Sequence, residues 1–285
     1  MSEPLTIRLD RESVVSRDNG DTADLDQVSA EEIRTLAEGL GWTSGRETAA
    51  LLGTLGEAAA VAPVAQAGGY GRVKHPPRTS RIPVGQLSVA RSNPLVDVLD
   101  RRRSERILAG PVELADLATL LVRCGRVRQW QDESASGSWS SQPAPSAGGR
   151  HPCRLLVAAN DVRGLGAGLW DFDGLRCELQ AIEAETEILQ GLLACFSARG
   201  IPIVPCALLV VASFERTLNR YPAGSSLVWR DVGVLLGLLH LAAADLGLSS
   251  CILGTSGLLQ KDLMRPGEID VGAIVFGSTP DAVGI

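Results

Sequence analysis

The chain of 285 residues holds only three histidines and six cysteines. The cysteines stand at 124, 153, 177, 195, 206 and 251, with no C-x-x-C pair among them. A zinc cluster needs tighter ligand spacing with histidine close by, so no metal site is expected. Most of the cysteines sit in apolar stretches such as "VPCALLVV" and "SSCILG", where a reduced thiol behaves as a small hydrophobe. Positive charge is not in excess. The net charge is −6 and the pI about 5.2, which argues against a nucleic-acid partner. No apolar run reaches the ~18 residues that suggest a membrane span. The first residues, "MSEPLTIRLDRE", are charged and lack an apolar signal core, so a cytoplasmic protein is expected. Neither G-x-G-x-x-G nor G-x-x-x-x-G-K-[ST] occurs, which leaves a dinucleotide fold and a P-loop without support. No internal repeat is visible.

The composition that remains, 45% hydrophobic and 21% charged, is ordinary for a globular protein with a real core. Residues 1–90 read as a small module with a linker. "LTIRLDRESVV" alternates like a strand, and helices are predicted over 29–42 and 46–62. The Gly-, Pro- and Arg-bearing stretch 66–85 reads as a linker or an extended arm. This module is either a packing extension of the main body or a separate peptide- or partner-binding unit.

Residues 91–285 form the body. An amphipathic helix, "NPLVDVLDRRRSERIL", ends in a basic cluster, and "PVELADLATLLVRCG" is a second helix. The polar stretch 129–149 reads as a long loop. Strands are expected in "CRLLVAAND", "AGLWDFDG", "CALLVVASFER", "SSCILG" and "DVGAIVFGSTP". Helices are expected in "AIEAETEILQGLLACFSARG" and "WRDVGVLLGLLHLAAADLGL". The second is apolar on most faces and therefore reads as buried. His240 lies within it and reads as structural.

Two segments stand out chemically. "RRRSER" puts guanidinium forks and a hydroxyl together, which suits a phosphate as well as a solvated face. "PSAGGRHP" offers small residues and exposed backbone N–H groups. Glycines there cost backbone entropy, so they imply close approach of the backbone to another group.

The order of these segments over 93–277 resembles the nitroreductase superfamily of flavin-dependent oxidoreductases. Within it, the sequence is most similar to SagB-type dehydrogenases, which oxidise azolines in thiazole/oxazole-modified peptides. The resemblance implies an α+β fold with a central mixed sheet flanked by helices, and FMN as cofactor. It implies that Arg102, Arg103, Ser104 and Arg106 hold the FMN phosphate and ribityl chain. Pro145, Ser146, Ala147 and Gly148 would lie along the isoalloxazine, with Gly149 also clearing space. Gly254, Thr255 and Ser256 would form the turn that presents a backbone N–H near flavin N5. "GLWDFDG" resembles the family's following strand, and "DVGVLLGLLHLAAADLG" its long dimer helix.

For the proton, the resemblance points to Tyr221, with Arg220 beside it where relatives carry Lys-Tyr. A guanidinium does not serve as a base, so Tyr221 is the proton acceptor and Arg220 its partner. His151 is a weaker candidate for substrate contact. The implied activity is FMN-dependent oxidation of peptide azolines to azoles. The implied partners are a precursor peptide, a cyclodehydratase and a second copy of the chain. Two alternatives stay open: an NAD(P)H-dependent flavin reductase, and a flavin-free scaffold subunit of a peptide-modifying complex.

Overall fold

The computed structural model describes residues 78–88, 93–131, 138–184, 186–221, 224–254, 259, 263–265 and 267–279, together with three short N-terminal strands. Those strands, β1 (Thr6–Ile7), β2 (Val15–Ser16) and β3 (Thr22–Ala23), form one antiparallel sheet in that order. The stretch read as alternating like a strand holds residues of two paired strands, with Ile7 opposite Val15. The helices predicted over 29–42 and 46–62 lie outside the described residues.

The body is built on a seven-stranded sheet. Its members are β4 (Arg78–Pro83), β8 (Cys153–Ala159), β10 (Gly168–Asp173), β11 (Glu178–Ile182), β12 (Cys206–Ser213), β13 (Leu248–Leu253) and β14 (Glu268–Ser278), while β5 (Val112–Glu113) and β9 (Val162–Arg163) pair apart from it. The spatial order is β13-β14-β12-β8-β10-β11-β4. Every ladder between these seven is antiparallel. Parallel pairing enters at the β13 edge, where Ser104 bridges Ser250, and in the β5–β9 pair. The arm at Arg78–Pro83 is laid on β11 as the opposite edge strand, so the body sheet begins before residue 90.

β8 and β12 are nearly continuous apolar runs because both faces of the sheet are covered. Alternate residues part to two cores. Leu155, Val157 and Ala159 of β8 face α2 (Leu114–Gly125) and α5 (Ser225–Leu246). Leu156 and Ala158 face α3 (Thr186–Ser197). α5 has the length and composition of a membrane span, yet Val228, Leu235, Leu239 and Ala243 are buried in the first core. It stops at Gly247, whose φ of 76° is the left-handed conformation that closes a helix. All six cysteines are free thiols, with Cys124, Cys206 and Cys251 fully buried.

Two helices differ from the sequence reading. α1 (Leu95–Arg101) is only seven residues long and buries only Val98. Leu95, Val96 and Leu99 are 66%, 61% and 53% exposed, so its apolar face does not enter the core. α5 likewise leaves Trp229 and Val234 exposed rather than being buried all round. Within the stretch read as a loop, β6 (Gln129–Gln131) pairs with β7 (Trp139–Ser141), Trp130 opposite Ser140.

On the α3 side a charged network crosses three strands. Arg154 of β8 donates to Asp171 of β10 at 2.9 Å and to Glu268 of β14 at 3.0 and 2.5 Å. Burying these charges is tolerable because each is paired.

Candidate active site

The glycine-bearing loop folds as a 3-10 turn, Ala147–Gly149, between β7 and β8. Gly149 and Arg150 donate their N–H groups back to Ser146 and Ala147 carbonyls. Gly148 and Gly149 take φ of 58° and 65°, the left-handed region where a Cβ is disfavoured. His151 adopts φ 44° without that freedom. A Cβ at Gly148 would lie 2.5 Å from the Tyr221 hydroxyl, and one at Gly149 2.5 Å from the Trp139 indole. Within the chain, then, the glycines clear space for two aromatic side chains. Gly148's own N–H has no acceptor among the described residues.

Tyr221 reaches the loop from α4 (Phe214–Leu218), which follows the central strand β12. Its N–H bonds to the Thr217 carbonyl at 2.9 Å, which carries the helical turn on to the tyrosine. Arg220 lies over its ring, 5.8 Å from the centroid. Arg216, four residues earlier and so on the same side of the turn, donates to the Arg150 carbonyl at 2.9 Å. Its guanidinium also stands 5.2 Å from the Trp130 ring, which draws the β6–β7 hairpin onto the loop. Arg150 itself is buried and donates to the Ser138 carbonyl at 3.1 Å.

Asp231, on the core side of α5, accepts from the Ser146 hydroxyl at 2.5 Å and from the Ala147 N–H at 3.2 Å. Ser146 Oγ accepts in turn from the His151 N–H at 2.8 Å. Burial pushes the Asp231 carboxyl above the ordinary carboxylate range, against the pull of those two hydrogen bonds. Burial drives the His151 imidazole down to about 4, and the Arg216 charge adds to this against a backbone hydrogen bond at Ser140. His151 is therefore neutral at physiological pH. The Cys153 thiol behind the loop is pushed up to about 12 by burial and by Asp231, so it is no nucleophile.

The arginine segment is held elsewhere on α5. The chain turns extended at Arg102, with φ −55° and ψ 123°. Glu105 donates its N–H to the Ser250 carbonyl at 2.8 Å, fixing the strap to β13. The buried His240 Nε2 lies 3.0 Å from the Arg103 carbonyl oxygen. His240 is thus buried in the helix, and its ring meets the arginine strap. Burial first, then the Arg102 charge, lowers its imidazole against backbone hydrogen bonds at Arg103 and Ser250. Arg103 and Ser104 are exposed and Arg102 is half-buried.

The structure brings Tyr221, Arg220, Ser146, Ala147, Gly148 and His151 together around one loop, with Pro145 exposed at its start. It groups Arg102, Arg103 and Ser104 on the strap. Arg106 does not join them: its guanidinium turns to the Arg199 carbonyl at 3.2 Å, just beyond the end of α3. There it meets the negative end of that helix, which favours a cation. Gly254 is exposed at the end of β13, while Thr255 and Ser256 lie outside the described residues. Ser146 and Ala147 spend their donors on Asp231. Asp231, Arg216, Trp130 and Trp139 were not anticipated. For Asp231 a signal existed: it stands three residues after Val228 and four before Leu235, on the face that packs into the core.

Among the described residues, no three His, Cys, Asp or Glu side chains converge as a metal site. The Nitroreductase family model matches residues 99–265, more than half of the chain, and the chain belongs to that family. The family typically binds flavin. A protein of Methanocaldococcus jannaschii, named "Putative nitroreductase MJ1384", is 30% identical over 162 residues, 56% of this chain and 78% of the relative. A crystal structure described as a putative nitroreductase from Ralstonia eutropha matches with a TM-score of 0.53 at 20% identity, over 73% of this chain and 95% of that one. A chain of the E. coli microcin synthetase McbBCD complex, with truncated pro-MccB17 bound, matches with a TM-score of 0.50 at 18% identity, over 61% of this chain and 66% of that one. The two structures share the fold.

Proposed function

We propose that the protein is an FMN-dependent azoline dehydrogenase, converting azoline rings in a precursor peptide to azoles. The observation that carries this reading is the Tyr221 hydroxyl seated at the Gly148 backbone with the Arg220 guanidinium over its ring. An acid–base group is thereby fixed inside the loop expected to border the flavin. The match to a chain of a microcin synthetase complex with a pro-peptide bound supports a peptide substrate and a cyclodehydratase partner.

The residues present fit FMN. Arg102, Arg103 and Ser104 supply cations and a hydroxyl for its phosphate, on a strap held by His240 and Ser250. Gly148 supplies an N–H with no acceptor among the described residues, beside the Tyr221 hydroxyl. When bound, FMN supplies the two-electron acceptor for the hydride leaving the ring. Tyr221, in its phenolate form, would receive the proton lost from the adjacent ring carbon. Arg220 holds the phenol in place, and neutral His151 offers a polar contact to the peptide. Gly254, Thr255 and Ser256 would supply a further backbone N–H.

A second copy of the chain completes this reading. Asp231 and His240 are nine residues apart on α5, about 13.5 Å along its axis and half a turn round it. The loop and the strap of one chain therefore lie on opposite sides of the helix, and a cofactor touching both is shared between copies. The exposed Leu95, Val96 and Leu99 of α1 and Val234 of α5 provide an apolar surface for such pairing. Gly233 and Gly237, where a Cβ would meet nothing, allow close helix approach. The single test is cofactor identity. Purified protein should show flavin absorbance and release FMN rather than FAD. A colourless protein that takes up no added FMN refutes the reading and leaves a scaffold subunit. Rapid reduction of the flavin by NAD(P)H would favour a nitroreductase-type reductase instead, the activity named for the M. jannaschii relative.

A further inference from the structure

We infer that Asp231 is the positioning residue of the glycine loop, setting the backbone shape that the loop presents to the cofactor. The inference rests on the flavin reading for its purpose, and on the loop's own hydrogen bonds for its substance. Three of the four residues 148–151 are left-handed, with φ of 58°, 65° and 44° at Gly148, Gly149 and His151. Such a conformation persists at a non-glycine residue only where the surroundings over-determine it. Arg216 holds the Arg150 carbonyl and Asp231 holds the start of the turn. Asp231 Oδ2 accepts the Ser146 hydroxyl and its Oδ1 the Ala147 N–H. With its proton committed to Asp231, Ser146 turns a lone pair to the His151 N–H at 2.8 Å. One side chain thus fixes both ends of the turn, and Gly148 is left between them with its N–H outward.

Only an ionised carboxylate offers two acceptors at this place. Asp231→Asn keeps the size and replaces one of the two acceptors by a donor, which then faces either the Ser146 hydroxyl or the Ala147 N–H. A charge-assisted pair is the strong kind of hydrogen bond, so the effect should be large. Asp231 acts through the loop and touches no reacting atom, which defines the readouts.

The test uses the full chain. Hydrogen exchange without added cofactor reads the Ala147 and His151 amides, and flavin fluorescence during FMN titration reads affinity. For Asp231→Asn, exchange at both amides should rise ~tenfold or more, while α5 amides and the melting temperature stay near parental values. FMN affinity should fall by ~tenfold. Ser146→Ala should release the His151 amide in the same way, and combining it with Asp231→Asn should add little at that amide. Parental exchange at Ala147 and His151 in Asp231→Asn overturns the inference. So does a loosened loop with unchanged FMN affinity. If Asp231→Asn does not fold, Ser146→Ala decides: an unchanged His151 amide overturns the clamp. Failure of the flavin reading shows differently, as absent FMN uptake by the parental protein, and the amide measurement still decides the clamp.

Discussion

Replacing Gly148 by alanine tests the placement of Tyr221 at the loop. At φ 58° an alanine pays the left-handed penalty, ~1–2 kcal/mol. Its Cβ would also stand 2.5 Å from the Tyr221 hydroxyl. Overpacking costs ~1–3 kcal/mol, and the low end applies because a hydroxyl at the tip of a side chain can turn aside. Gly148→Ala should therefore lose ~2–3 kcal/mol. Tyr221→Phe removes the clashing oxygen, and the next ring atoms lie at 3.2 and 3.3 Å. The double variant should retain only the backbone penalty, which gives a coupling of ~1 kcal/mol. Urea unfolding of the four proteins, with unchanged m-values, measures it. If the two changes are additive within ~0.5 kcal/mol, the hydroxyl is not at Gly148. The acid–base group would then lie outside the loop.

Arg102→Ala removes a charge-assisted contact to phosphate, so FMN should bind ~ten- to a hundredfold more weakly, read by fluorescence titration. Unchanged affinity would return the strap to a solvated basic face. Arg154→Met removes the nearest cation from the buried Asp171 and Glu268 carboxylates while Arg265 stays 3.7 Å from Asp171, and urea unfolding should show a loss of ~3 kcal/mol. The His151 ring should titrate near pH 4 by NMR, with its resonance assigned from His151→Gln. Because its folded value is depressed, its contribution to stability is complete above about pH 6.5 and is lost as the pH falls toward 4. In His151→Gln the acid-side slope of stability should be shallower.

Much of the frame was legible in the sequence. The apolar runs of β8, β12 and β14, and the long helix α5, follow from patterns that burial on two faces produces. The two segments that define the site were visible as compositional oddities. Their partners were not. β11 was hidden because "ELQAI" runs into the acidic start of the next helix, and Gln180 breaks its apolar character. α1 ends early because Ser104 and Glu105 are drawn to the edge of β13, a long-range pairing that local pattern does not encode. Arg106 was grouped with its neighbours by resemblance to the family's motif, and in the structure its side chain reaches the carbonyl of Arg199 beyond the end of α3. The loop 129–149 gained the β6–β7 pair through Trp130 and Arg216, residues 86 positions apart in the chain. Gly148 and Gly149 were correctly read as places of close approach, but the groups that approach within the chain are Tyr221 and Trp139.

The most direct test of the central claim is a single turnover without oxygen. FMN-loaded protein is mixed with an azoline-containing peptide, and the flavin absorbance is followed. The account predicts bleaching by the peptide alone, with formation of the azole. Tyr221→Phe should bleach ~100-fold more slowly or worse while still binding FMN. Arg220→Lys, which keeps a cation beside the phenol, should retain substantial activity. A flavin that the peptide leaves oxidised while NAD(P)H reduces it at once would contradict the account.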